Sequence, residues 1–158
     1  MKLFIADDSV RYRQRLASIL SRLDGITIIG EAGNVAEAID SIQRTRPDAL
    51  ILDIQMPGGS GLDVLQAAKA IKPAPLIIML TVAPSSEYRD KCLAMGADYF
   101  FEKASGLKKI ALILARLMHG SKTDQPLLND RERSVASTVN TNPLKAQKAS
   151  MISLGKKS

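Results

Sequence analysis

The chain has 158 residues and 46% hydrophobic content, enough for one well-cored domain and an appendage. One cysteine and one histidine exclude an internal disulfide framework and leave a zinc site of the usual kind without ligands. The net charge of +6 is uneven: residues 1–118 carry 15 Lys and Arg against 13 Asp and Glu, whereas residues 119–158 carry 7 against 3, so the basic excess belongs mostly to the tail.

Lys2–Ala6 reads as a first strand. Ser9 caps a helix running to about Leu23, with Leu16, Ile19, Leu20 and Leu23 on one face and Gly25 as its stop. Ile26–Glu31 is β-rich. Asn34 caps a second helix to about Thr45, Glu37 completes a capping box, and Ala36, Ala38, Ile39 and Ile42 form its apolar surface. A third strand, Ala49–Leu52, leads into the loop QMPGGSG and a helix from about Gly61 to Ile71. The fourth strand is Leu76–Leu80, followed by a helix over about Ser85–Met95. The fifth is Tyr99–Phe101, followed by a helix from about Ser105 to Met118. These strands are continuous apolar runs, which means burial on both faces. Five βα units of this kind predict an α/β fold with a parallel sheet covered by helices.

No run approaches ~18 uninterrupted apolar residues, so membrane insertion is not expected. The start, MKLFIADDSV, becomes acidic too soon for a secretory signal, and a cytoplasmic location is the expectation. Cys92 falls in the fourth helix and reads as a small packing residue.

Four polar positions stand just past four of the apolar runs: Asp7-Asp8, Asp53, Thr81 and Lys103. In one parallel sheet they gather at the carboxyl ends of the strands, the edge where open α/β sheets bind ligands. Three carboxylates, a hydroxyl and an ammonium suit a divalent cation and a phosphoryl group. Asp53 is the candidate nucleophile, since a carboxylate attacking phosphorus forms an acyl phosphate. Asp7, Asp8 and Asp53 suit magnesium, which takes one or two carboxylates with phosphate oxygens and water. Lys103 adds positive charge, and Thr81 offers a hydroxyl donor. Taken singly, each has a plainer reading: a helix cap, a turn carboxylate, a strand-end threonine, a solvated lysine. Together, in order, at four strand ends, they read as one site.

The pieces FIADDS, LILDIQMPGGSG, IIMLT and DYFFEK resemble the receiver domain of bacterial two-component response regulators, and the resemblance covers residues 1–118. It implies a flavodoxin-like, doubly wound (βα)5 fold with strand order 2-1-3-4-5. It also implies that Asp53 is the phosphoacceptor. Asp8, Asp53 and the Gln55 carbonyl would ligate Mg2+, with Asp7 acting mainly through metal-bound water, and Thr81 and Lys103 would contact the phosphoryl group. The donor would be a sensor histidine kinase or phosphotransfer protein. Thr81 and Phe100, three residues before Lys103, match the family's switch positions, although Phe100 also reads as a core residue of the fifth strand. The output surface would be the fourth helix, fifth strand and fifth helix, which would also serve a homodimer or a downstream protein partner. On the fifth helix, Leu112 falls among Ser105, Lys108, Lys109 and Arg116, opposite Leu107, Ile110, Leu114 and Leu117, and is a candidate interface residue.

Two departures stand out. Ala104 follows Lys103 where most receivers have proline, so a cis bond is not expected there. Gln55 stands two residues after Asp53, where phosphohydrolases using an aspartyl intermediate place a second Asp, which argues against that enzyme class.

The expected organisation is a receiver over residues 1–119 and a basic, flexible tail over 120–158. Within the tail, LLNDRERSVA resembles the opening of the LuxR-type output domain, but Asn140–Pro143 interrupts the residues beyond it and no recognition helix is evident. The leading expectation is a phosphoacceptor signalling protein whose output is protein contact, with no nucleic-acid partner. The alternative is a DNA-binding transcriptional response regulator with a truncated or atypical output segment.

Overall fold

The computed structural model describes residues 1–120. The tail, with its LLNDRERSVA segment, lies outside the described residues. In chain order the elements are β1 (Lys2–Ala6), α1 (Val10–Leu20), β2 (Thr27–Ala32), α2 (Val35–Thr45) and β3 (Ala49–Asp53), then a small hairpin of β4 (Gln55–Met56) and β5 (Gly59–Ser60). After it come α3 (Gly61–Ala70), β6 (Leu76–Thr81), α4 (Ser86–Ala94), β7 (Tyr99–Glu102) and α5 (Lys103–Met118). The main sheet has the order β2-β1-β3-β6-β7, all neighbours parallel. Leaving the hairpin aside, this is the expected 2-1-3-4-5 order.

Strands β1, β3 and β6 are buried along almost their whole length, as both-face burial requires. The edge strand β2 departs from that expectation, because most of its residues are only partly buried or exposed on an open flank. On one face, Phe4, Leu50, Leu52, Met79 and Phe100 pack with Ala38, Ile42, Leu65 and Cys92 from α2, α3 and α4. The second helix turns Val35, Ala38 and Ile42 inward, while Ala36 does not join the buried face: with Val35 opening the helix, Ala36 falls to its side. Across the sheet α1 packs beside α5, with Leu16, Leu20, Ile110 and Leu114 fully buried.

The caps follow local chemistry. Ser9 Oγ accepts from the Tyr12 N–H and Asn34 Oδ1 from the Glu37 N–H. Glu37 does not close the expected box on the Asn34 backbone. It accepts instead from the Gly33 N–H and the Asn34 side-chain amide. A closed box does form at α3, where Ser60 Oγ accepts from the Leu62 N–H and Asp63 Oδ2 from the Ser60 N–H. Helix α1 stops at Leu20 with Ser21 as cap, so Leu23 and Gly25 belong to the turn before β2, where Gly25 takes φ +80°. Helix α5 starts two residues sooner than expected, at Lys103. A residue before proline is pushed out of the helical region, and Ala104 lifts that restriction. The Lys103–Ala104 bond is not cis.

Candidate functional site

The parallel register brings four strand ends level. Asp53 closes β3 opposite Leu80, and Thr81 closes β6 opposite Glu102. Asp7 follows β1, its N–H bonded to the Ala32 carbonyl of β2. Lys103 opens α5 directly after β7. The chain turns at each of these points, so side chains far apart in sequence converge at one edge of the sheet.

Ligand oxygens of Asp7, Asp8 and Asp53 lie within 4.8 Å of one another. Asp7 and Asp53 are buried, at 1% and 3% exposure, whereas Asp8 is exposed. Lys103 Nζ stands 2.6 Å from Asp7 Oδ2 and 2.8 Å from Asp53 Oδ2. Asp7 Oδ2 meets this ammonium as an ion pair without a well-aligned hydrogen bond. The second oxygens are held by backbone: Ser9 N–H donates to Asp7 Oδ1 at 2.9 Å, and Gln55 N–H to Asp53 Oδ1 at 3.2 Å. Two buried carboxylates therefore share one buried cation, and the exposed Asp8 opens the cluster to solvent.

The electrostatics follow from that imbalance. Burial pushes the Asp53 carboxyl above its ordinary value, and Lys103 opposes the push. For Lys103, burial works against the charged form, but its close contacts with the Asp53 and Asp7 carboxylates outweigh it and hold the ammonium above its ordinary value. Lys103 stays protonated across physiological pH.

Thr81 is 2% exposed, and its Oγ1 accepts from the Ala83 N–H at 3.1 Å. The hydroxyl hydrogen is left to donate elsewhere. Gln55 has an exposed side chain beside Asp8, and the two line a cavity of about 410 Å3 with Met56 and Tyr88. A second cavity, of about 290 Å3, runs past Lys103 between Ser9, Tyr12, Arg15 and Val82.

Phe100 is packed in the core at 4% exposure, with the Arg89 guanidinium 5.6 Å from its ring centre. Leu112 is exposed, at 44%. Leu117, expected on the buried side of the helix, is 47% exposed: it stands in the last turn, one turn past the last buried position, Leu114.

Two supporting residues, Arg13 and Tyr12, escape a reading centred on acids, and a third, Gly61, stands in the LILDIQMPGGSG stretch that carries the resemblance. Arg13 Nη1 donates to the Asp7 carbonyl while its Nε pairs with Glu31 at 3.2 Å. Tyr12 touches Lys103 at two points. At Gly61, an added Cβ would lie 1.9 Å from the Asp53 carbonyl oxygen, so only glycine lets α3 start this close to the acceptor. Arg13 and Tyr12 carry one signal in the sequence: they follow Ser9 by four and three residues, one helical turn, on the side facing the strand ends.

Comparison with known proteins bears on the family and the fold. The family model described as response regulator receiver domain matches residues 3–115. A protein-glutamate methylesterase/protein-glutamine glutaminase of Methanospirillum hungatei is 33% identical over 140 residues, covering 82% of this chain and 41% of that protein. The transcriptional regulatory protein BtsR of Salmonella typhi is 35% identical over 136 residues, covering 85% of this chain and 56% of the relative. The chain thus spans about half or less of the length of these relatives. Among solved structures, the CheX-CheY-BeF3-Mg2+ complex from Borrelia burgdorferi superimposes with a TM-score of 0.63 at 25% identity, over 72% of this chain and 89% of that one. On the matched family model and the fold, the chain belongs to the response regulator receiver domain family, the phosphoacceptor signalling domains of two-component systems.

Proposed function

We propose that Asp53 is the acceptor and that residues 1–119 form a phosphorylation switch driven by a histidine kinase or phosphotransfer protein. The observation that carries this reading is the Lys103 ammonium, 2.8 Å from Asp53 Oδ2 and 2.6 Å from Asp7 Oδ2 at the strand ends. In the transfer, an Asp53 carboxylate oxygen attacks phosphorus. The P–N bond to the donor imidazole breaks, and that nitrogen leaves with the electron pair. Charge builds on the three equatorial oxygens of the moving group, so positioning and fixed positive charge supply most of the catalysis. Lys103 supplies such a charge, already desolvated and aimed at the acceptor. Thr81 supplies a hydroxyl hydrogen for a phosphoryl oxygen.

Asp7, Asp8 and Asp53 fit a hard cation that prefers oxygen ligands, and the Gln55 carbonyl would complete the set. Magnesium bound there would neutralise charge on the transferring group. A related CheX-CheY structure contains both Mg2+ and BeF3. Exposed Asp8 beside the 410 Å3 cavity leaves a solvent route to the cluster.

Phosphorylation adds charge and three acceptor oxygens at Asp53. Thr81 then turns its hydroxyl hydrogen to the phosphoryl group, and Phe100, buried in the core on β7, repacks with it. The face built from α4, β7 and α5 reads out the change, with Leu112 as its apolar contact for a homodimer or a downstream protein. Incubation with acetyl phosphate and Mg2+ tests the reading: the chain should gain the mass of one phosphoryl group, labile to hydroxylamine as an acyl phosphate is.

One observation favours a second reading. The match to BtsR covers 85% of the chain, more than the receiver region itself. A DNA-binding regulator with an atypical output segment would show sequence-specific gel shifts that persist at physiological salt.

A further inference from the structure

We propose that Tyr12 is a positioning residue for Lys103. The inference rests on the reading that Lys103 contacts the phosphoryl group. Lysine has a long flexible stem, and this one begins a helix whose N-cap residue, Glu102, makes no side-chain capping bond. The next residue is Ala104, which does nothing to fix the backbone as a proline would. The start of α5 therefore lacks the usual local restraints at the residue that most needs a fixed position.

Tyr12 supplies restraint from another element. Its hydroxyl donates to the Lys103 carbonyl at 3.2 Å, and its ring centre lies 4.9 Å from Lys103 Nζ. One side chain on α1 thus holds the lysine at its backbone and at its charged tip. The ring face favours the ammonium through its quadrupole. Tyr12 is itself fixed, because its N–H donates to Ser9 Oγ while Ser9 N–H donates to Asp7 Oδ1. Acid, cap, tyrosine and lysine form a closed chain of contacts around the acceptor. A small displacement of a catalytic charge lowers rate steeply, so such a brace acts on the chemical step rather than on donor binding.

A double-mutant cycle on the full chain tests this. Tyr12→Phe keeps the ring and loses the hydroxyl; Tyr12→Leu loses both; each is made with Lys103 and with Lys103→Ala. Phosphorylation of Asp53 by acetyl phosphate is measured at saturating Mg2+. In the Lys103 background, Tyr12→Leu should slow the maximal rate roughly tenfold with the half-saturating donor concentration unchanged. Tyr12→Phe should recover part of that loss. In the Lys103→Ala background, Tyr12→Leu should change nothing further. Equal slowing in both backgrounds, or wild-type rates in both tyrosine variants, overturns the proposal while leaving the role of Lys103 intact. A wild-type rate for Lys103→Ala itself removes the reading beneath it. If Tyr12→Leu does not fold, as judged by circular dichroism, Tyr12→Phe alone decides: its rate must fall with Lys103 present and stay unchanged with Lys103→Ala, and any other pattern overturns the proposal.

Discussion

Lys103 Nζ and Asp53 Oδ2 lie 2.8 Å apart across a sequence separation of 50 residues, and both side chains are at least nine-tenths buried. Removing one partner of a buried pair leaves the other charge uncompensated. Lys103→Ala would leave both Asp7 and Asp53 in that state. It should lower stability by about 3 kcal/mol, read by urea denaturation near neutral pH. Phosphorylation should slow by about 100-fold, the scale for losing one preorganised charge contact. Unchanged stability would mean that the ion pair is not held in solution.

Removing the acceptor should act in the opposite direction, because two buried acids share one cation. The carboxyl of Asp53 is raised above its ordinary value of 3.8 by burial, so ionising it disfavours the folded state. Below that value the group is protonated folded and unfolded, and it contributes nothing. As pH rises through the ordinary value toward the raised one, the unfolded chain releases a proton that the folded chain retains, and stability falls. Above the raised value the loss is constant. Asp53→Asn should therefore be more stable than wild type near neutrality, with the advantage fading in acid. Parallel melts from about pH 3 to 7 check the sign, and a constant difference across that range would contradict it.

Gly61→Ala places a Cβ 1.9 Å from the Asp53 carbonyl oxygen, a backbone atom with no flexible side chain to yield. Either α3 or the end of β3 must move. A loss of about 2 kcal/mol is expected, together with slower phosphorylation, because the displaced backbone carries the acceptor. If stability falls while the phosphorylation rate is kept, Gly61 serves folding alone.

Much of this is readable in the chain itself. Apolar runs at Leu3–Ala6, Ala49–Leu52 and Ile77–Leu80 mark the buried strands, because burial on both faces leaves no room for alternation. The four polar strand ends follow from the parallel topology. Termini are less legible. Gly25 reads as a helix stop, but the helix has already ended at Leu20, since Ser21 and Arg22 offer the core nothing. Lys103 reads as a loop residue, and the absence of proline at 104 draws it into α5. Tyr12 and Arg13 show only their one-turn spacing from Ser9 in the sequence, because their roles depend on where α1 lies against the strand ends. Leu117 is misplaced by periodicity, which says nothing of where a helix outruns its core.

Leu112 stands exposed on α5 between Lys108 and Arg116. That position is 44% exposed, so Leu112→Glu should change folding stability by less than about 0.5 kcal/mol. Phosphorylation-dependent self-association or partner binding should fall. Sedimentation of the phosphorylated wild type and variant decides, and identical profiles with identical partner binding would remove Leu112 from the interface.

Asp53 as the residue that receives the phosphoryl group is the claim on which the rest depends. Radiolabelled acetyl phosphate with Mg2+, given to wild type and to Asp53→Ala under the same conditions, tests it most directly. Stable incorporation into wild type with none in the variant is the expected result. Equal labelling of the two proteins would contradict it.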